Sequence, residues 1–191
     1  MVEKILEGHN GTLIAYGETG SGKTFSFSGA RDNSDFEQRG ISPRALGTIF
    51  SKINSASYSK GTNFNVSISY LEIQGTLLID LLQNTGKNRL TKSKSLEIYE
   101  DPQNPGTTKV KNLNKIKVNN ESEAFNLFLL GDSRRSHKTS HSIFTVYVES
   151  DSLLISGGAH KRAELKIVDL CSWGSSKDKK IVASKQPSSL F

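Results

Sequence analysis

The chain has 191 residues, of which 35% are hydrophobic and 23% charged, and its 25 lysines and arginines outnumber 19 acidic residues to leave a net charge of +6. That length suits one domain with a sizeable core, and no window approaches the roughly 18 apolar residues of a membrane-spanning helix, so no membrane role is expected. A basic surplus of this size is compatible with a polyanionic partner, nucleic acid or an acidic protein surface, and equally with a scattered, solvated surface.

The start, Met1 to Glu7, has no basic segment followed by a long apolar one, so no secretory signal is expected. Val2, Ile5 and Leu6 share one helical face, and Gly8 follows as a stop. The run Thr12 to Tyr16 then reads as a strand, and directly after it Gly17-Glu-Thr-Gly-Ser-Gly-Lys23-Thr24 matches G-x-x-x-x-G-K-[ST] without a substitution. In such a loop the glycines let consecutive backbone N–H groups turn toward a phosphate, the lysine reaches the β/γ oxygens, and the threonine hydroxyl faces Mg²⁺. Gly17, Glu18, Thr19, Gly20, Ser21, Gly22, Lys23 and Thr24 are therefore the expected nucleotide-binding residues, with Thr24 also at the metal. A plain Gly/Ser turn would need no lysine and threonine at that fixed offset.

Ser28 to Gly40 is polar and reads as an exposed loop. A helix follows, with Ser42 as its cap, Pro43 at its first position, and Ala45, Leu46, Ile49, Phe50 and Ile53 on one face. Phe64 to Ile73 alternates as a half-buried strand. Leu96 to Tyr99, a turn from Asp101 to Gly106, and Val110 to Val118 predict a hairpin-like excursion. Asn120 and Glu123 form a capping-box pattern before a helix ending at Gly131. Ile143 to Val148 and Glu164 to Leu170 are further strands, joined by a turn at Ser156 to Lys161, with Asp169 near the end of the second. From Ser172 to Phe191 there are six serines and four lysines and no periodicity, so 171–191 reads as a divergent, disordered tail. Strands alternating with helices around a phosphate loop imply an α/β sheet with helices on both faces. The single Cys171 cannot form an internal disulfide, which fits a reducing compartment. The four histidines lack metal-site spacing.

Read together, several segments resemble the kinesin motor domain. Gly8 to Thr24 is similar to its phosphate loop with the G-Y-N-G-T lead-in, and Gly40-Ile-Ser-Pro-Arg-Ala-Leu46 to its G-I-I-P-R segment. Ser69-Tyr-Leu-Glu-Ile73 with Asp80-Leu-Leu82 is similar to the S-Y-L-E-I-Y…D-L-L pair, and Phe125 to Asp132 resembles the subfamily found in cilia and flagella. The resemblance covers about residues 1–170. It implies a P-loop NTPase fold, ATP and Mg²⁺ as cofactors, microtubules as partner, a cytoplasmic and cytoskeletal place with the cilium or flagellum as the finer one, and Asp169 as the second metal-associated residue. It also implies a domain incomplete at both ends, without the first strand and R-x-R-P segment and without the later microtubule-binding helices. Lys109, Lys111 and Lys115 fall in the region that faces tubulin in kinesins. An unrelated phosphate-loop protein acting on nucleic acid is disfavoured by four motifs in the family's order.

The switch segments depart from the family pattern. Its N-x-x-S-S-R-S-H signature can be placed in two registers. In one, Ser140-His141 supplies the S-H end, leaving Lys138 and Thr139 at the serine and arginine positions; in the other, Ser133 to His137 takes the signature, keeping Arg135 but putting Arg134 at the serine. Either register sets a cation where Mg²⁺ should be assisted. The family's D-L-A-G-S-E-R aligns with Asp169 to Ser175, so the phosphate-sensing glycine becomes Ser172 and the glutamate becomes Gly174, with Trp173 between them. Phosphoryl transfer relies on positioning and charge stabilisation, so hydrolysis is expected to be impaired. The switch-like positions are thus Ser140, His141, Asp169 and Ser172, and no residue is assigned as catalytic. The alternative is a non-catalytic, nucleotide-holding module that works through partners.

Overall fold

Apolar residues alternating through Thr62–Gln74 make this the longest strand, and the computed structural model builds its sheet around it. The structure describes residues 1–30, 36–55, 61–85, 95–102, 104–136, 140–152 and 160–171. In chain order these form α1 (Val2–Leu6), β1 (Gly11–Ala15), α2 (Lys23–Ser28), a 3-10 turn (Phe36–Gln38), α3 (Ile41–Ile53), β2 (Thr62–Gln74), β3 (Leu77–Asp80), β4 (Glu97–Glu100), β5 (Thr108–Lys111), β6 (Ile116–Val118), α4 (Glu121–Ser133), β7 (His141–Ser152) and β8 (His160–Asp169).

The six-stranded sheet runs β1-β8-β7-β2-β3, with β6 also paired to β2. Only β1 and β8 are parallel; β7 is antiparallel to both β8 and β2. Its core side carries Ile68 and Tyr70 from β2, Phe144 and Val146 from β7, and Leu165 and Ile167 from β8. Ile5, Phe27, Ile49 and Phe128 bring all four helices into that same cluster. Rings of Phe27, Tyr70, Phe128 and Phe144 lie 5.1 to 6.2 Å apart, in stacked, tilted and edge-on pairs. Such pairs contribute about 0.5–1.5 kcal/mol each beyond area burial, which fastens α2 and α4 to the centre of the sheet.

The α/β architecture agrees with the sequence reading, but the layering differs. Among the described residues the helices gather on one face, not two. On β8 the reason is visible: Ala163, Leu165 and Ile167 are buried while the intervening Glu164, Lys166 and Val168 are half-buried, so the second face is too polar for an apolar helix stripe. The β4–β5 hairpin covers part of that face and encloses a cavity of about 350 Å³ with Leu71, Ile143 and Tyr147.

Four local readings need correction. Gly40, not Ser42, caps α3, because a bridge between Gly29 and Arg39 and a bond from Gly40 N–H to Ser28 O (3.2 Å) deliver the chain to Ile41 already aligned. These same contacts pin the ends of the segment read as an exposed loop, whose residues 31–35 lie outside the described residues. The stretch Val110 to Val118 is two strands, broken where Asn112 takes φ 66°. β3 was not read as a strand; Gly75 at φ 58° turns β2 back on itself to make it. The turn expected at Ser156 to Lys161 is undescribed up to residue 159.

Gly131 does not end its helix. It lies inside α4, where a Cβ would stand 2.4 Å from Tyr70 Cδ1 and 3.3 Å from Leu82 Cδ2. The expected cap is present: Glu123 N–H donates to Asn120 Oδ1 at 2.8 Å, and the Glu123 carboxylate accepts from Asn119 N–H. Gly131→Ala gains about 1 kcal/mol of helix propensity but overpacks the ring, so a net loss of about 1–2 kcal/mol is expected in urea denaturation. An unchanged midpoint would mean that the ring yields without cost.

Candidate nucleotide-binding site

The parallel pairing of β1 with β8 decides where the site lies. Its register sets Ala15 opposite Asp169, and Leu170 N–H donates to Ala15 O at 3.2 Å, so β8 ends beside the loop that leaves β1. Within that loop Gly17, Gly20 and Gly22 adopt φ of 153°, 84° and 86°. Around Gly20 and Gly22 there is open space, so the requirement for glycine is conformational and not steric. Gly22 caps α2 from the left-handed region and hands the chain to Lys23.

Lys23 is almost fully buried, and its ammonium donates to Gly17 O (2.8 Å) and Glu18 O (2.7 Å). The cation is thus drawn across the loop, where the sequence places it. Thr24 Oγ1 donates to Asp169 Oδ2 at 2.9 Å, joining two residues 145 positions apart. Asp169 is buried, and its other oxygen, Oδ1, has no hydrogen-bond partner among the described residues. A hydroxyl with open lone pairs beside a carboxylate oxygen without a donor is a donor set that fits Mg²⁺ and its water shell.

Arg135 also reaches Asp169. Its Nη2 donates to Oδ2 at 2.7 Å, its Nη1 lies 3.3 Å from Asp132 Oδ1, and its carbon centre stands 5.3 Å from the Phe27 ring. Burial works against the guanidinium charge, yet Tyr70, Asp169 and Asp132 hold its pKa above the ordinary value. Asp132 Oδ1 further accepts from Ser28 Oγ (3.0 Å) and the Tyr70 hydroxyl (2.9 Å), while burial drives the Tyr70 pKa upward. Five side chains from α2, β2, β8 and the end of α4 therefore share one buried network.

The other switch-like positions are engaged elsewhere. Ser140 Oγ donates to the buried Glu72 carboxylate, which also accepts from Ser136 N–H and Ser136 Oγ at 2.8 Å each. His141 Nδ1 accepts from Cys171 N–H at 3.1 Å, with its Nε2 3.4 Å from the thiol sulfur. Arg134, placed at the metal-side serine in one sequence register, turns away from the loop: its Nη1 donates to Leu81 O (2.8 Å) and Gln83 O (3.0 Å). The cation at the metal carboxylate is its neighbour, Arg135. Residues 137–139, including Lys138 and Thr139, and Ser172, Trp173 and Gly174 lie outside the described residues.

The three lysines read as track contacts occupy different settings. Lys109 pairs with Asp101 at 2.6 Å and Lys111 with Glu97 at 3.5 Å, both partly exposed on the hairpin. Lys115 Nζ lies 3.8 Å from the Tyr147 ring centroid, and burial lowers its pKa. Sequence reasoning missed Glu72, Asp132 and Ser136, and it gave Arg135 a different partner. The signal available was an aspartate and an arginine three residues apart at a helix end, and one glutamate within an apolar strand.

A strand, a glycine-bent loop with a lysine across it, and a threonine bonded to an aspartate at the end of the next parallel strand define a P-loop nucleotide-binding domain. The chain belongs to the kinesin motor domain family, which it matches over residues 1–188. That family is cytoskeletal and cytoplasmic. Kinesin-related protein 5 of Dictyostelium discoideum is 37% identical over 183 residues, covering 88% of this chain and 17% of that protein. Kinesin-like protein KLP1 of Chlamydomonas reinhardtii is 34% identical over 192 residues, covering 94% and 23% respectively. The solved structure of a fast kinesin superposes with a TM-score of 0.76 at 28% identity, covering 100% of this chain and 51% of that one. The chain thus spans about a fifth of the curated relatives it matches and half of that solved chain.

Glu72 yields a pH prediction. Its burial raises its pKa, but the bonds from Ser140 and Ser136 and the charge of Arg135 outweigh this and leave it below the ordinary glutamate value. A lowered folded value stabilises the fold fully above the unfolded pKa, and that contribution disappears as pH falls through the folded one. Glu72→Gln should cost about 1–3 kcal/mol at neutral pH and flatten the loss of stability below about pH 4.5. Urea titrations at several pH values check both; parallel curves for the two proteins would refute the assignment.

Proposed function

We propose that the chain is the nucleotide-holding portion of a kinesin-type motor, binding ATP with Mg²⁺ and acting on microtubules, with its own hydrolysis impaired. The observation that carries this reading is the Lys23, Thr24 and Asp169 arrangement on a kinesin-family sheet. Backbone N–H groups of residues 17–24 would cradle the phosphates, Lys23 would face their terminal oxygens, and Thr24 and Asp169 would hold Mg²⁺, which when bound offsets phosphate charge. Impairment is supported by Ser172 and Gly174 at the phosphate-sensing and acidic switch positions. It is further supported by the commitment of Arg135 to Asp169 and of Ser140 to Glu72. Lys109 and Lys111 on the exposed hairpin are the proposed track-facing cations, with Lys115 as their half-buried neighbour. The run Phe125 to Asp132 supports a ciliary or flagellar setting.

Two measurements test the reading. Lys23→Ala should abolish ATP binding in a calorimetric titration while leaving the melting temperature nearly unchanged, since it removes a loop cation and no core contact; unchanged affinity would overturn the nucleotide assignment. Steady-state turnover should show little stimulation by microtubules. Stimulation to on the order of 10 s⁻¹ would retain the motor reading and remove the impairment.

A further inference from the structure

Asp169 is the carboxylate that the loop presents to a metal, and the described residues contain no group of three or more acidic, histidine or cysteine side chains that could hold one. Its charge is already matched. Arg135 Nη2 sits 2.7 Å from the same oxygen that Thr24 holds, and only 2% of the arginine side chain is exposed. Nor can the guanidinium readily swing away: Asp132 holds its other arm, Phe27 lies beside its plane, and Asp132 is itself fixed by Ser28 and Tyr70. Unlike a lysine or histidine, an arginine does not surrender its proton when buried. A permanent positive charge at contact distance from the metal's carboxylate weakens that carboxylate's attraction for a divalent cation and adds repulsion of its own. The same charge lies beside the loop that receives a polyanion.

We propose that Arg135 acts as a resident counter-cation at the metal position, so that this domain grips a nucleoside triphosphate with little added affinity from Mg²⁺. The inference rests on the nucleotide reading above and gives it a cofactor dependence of its own. Thr24 and the open Asp169 Oδ1 still form a donor set that admits Mg²⁺; what Arg135 removes is most of the electrostatic gain. A merely structural arginine, clamping α4 to β8, would affect stability without affecting how affinity responds to the metal.

The experiment is a titration of the full chain with ATP in excess Mg²⁺ and again in EDTA, followed by calorimetry, for the wild type, Arg135→Gln and Arg135→Lys. The wild type is expected to bind within about threefold under the two conditions, Arg135→Lys to behave likewise, and Arg135→Gln to bind at least about tenfold tighter with Mg²⁺ than without. Because removing a buried ion partner can unfold the chain, circular dichroism accompanies each variant, and the wild-type ratio decides alone if Arg135→Gln does not fold. A wild type that loses tenfold or more in EDTA overturns the inference and leaves the nucleotide reading intact. A folded Arg135→Gln whose ratio equals that of the wild type also overturns it. No binding by the wild type under either condition overturns the nucleotide reading itself, and the inference with it.

Discussion

The hydrogen bond from Thr24 to Asp169 depends on everything between them and fixes what the site can be. Two residues separated by most of the chain come within 2.9 Å because β1 and β8 pair in parallel with Ala15 opposite Asp169. A slip of one residue in that pairing would turn Asp169 to the other sheet face and send Ala163, Leu165 and Ile167 out of the core. Register is therefore enforced by burial on the helix side, and the site inherits its precision from the core. The antiparallel run of β7 between β8 and β2 extends the same constraint over twelve residue pairs with β2.

Burial of the Arg135 network shapes the rest. Removing either charge from a buried pair commonly costs about 3–5 kcal/mol, because the partner is left uncompensated. Asp132, Asp169 and Arg135 therefore stand or fall together, with Tyr70 and Ser28 supplying the hydrogen bonds that one arginine cannot. The tight turn after α4 follows from this. Arg134 and Arg135 leave the helix in opposite directions, one capping the carbonyls of Leu81 and Gln83 and the other entering the core. Adjacent arginines thus fasten α4 to the β3 side and the β8 side of the sheet at once.

Much of this was legible in the residues. Period-two alternation found β2, β7 and β8, the fixed spacing from Gly17 to Thr24 found the loop, and Asn120 with Glu123 found a helix start that the structure reproduces. What escaped was decided by contacts distant in sequence. Gly131 carries the local mark of a helix end, but there the absent Cβ makes room for Tyr70 across 61 residues, and propensity gave way to packing. Ser42 carries the mark of a cap, yet the Gly29 and Gly40 backbones approach so closely that the cap moves two residues earlier. The Asp169 role was visible in the family pattern, whereas its arginine partner was not, since the pattern assigns that arginine to a glutamate this chain replaces with Gly174.

Net charge turns out to be a poor guide to the binding surface. Of the basic residues behind the +6 surplus, Lys4, Lys52, Lys109, Lys111, Arg162 and Lys166 each face a carboxylate of their own within 3.5 Å. Exposed pairs of this kind contribute little to stability, typically about 0–1 kcal/mol, but they divide the positive potential into local dipoles and leave no continuous stripe for a polyanion to follow. Nucleic acid, which is bound through rows of phosphates, gains little from such a surface. An acidic protein partner can instead exchange one carboxylate for another at a single place. The β4–β5 hairpin offers that place: Lys109 and Lys111 point from a two-stranded excursion that also exposes Ile98 and Tyr99, so a charge exchange there would come with apolar burial. Position on the fold, more than the sum of charges, is what could make this domain selective for one partner.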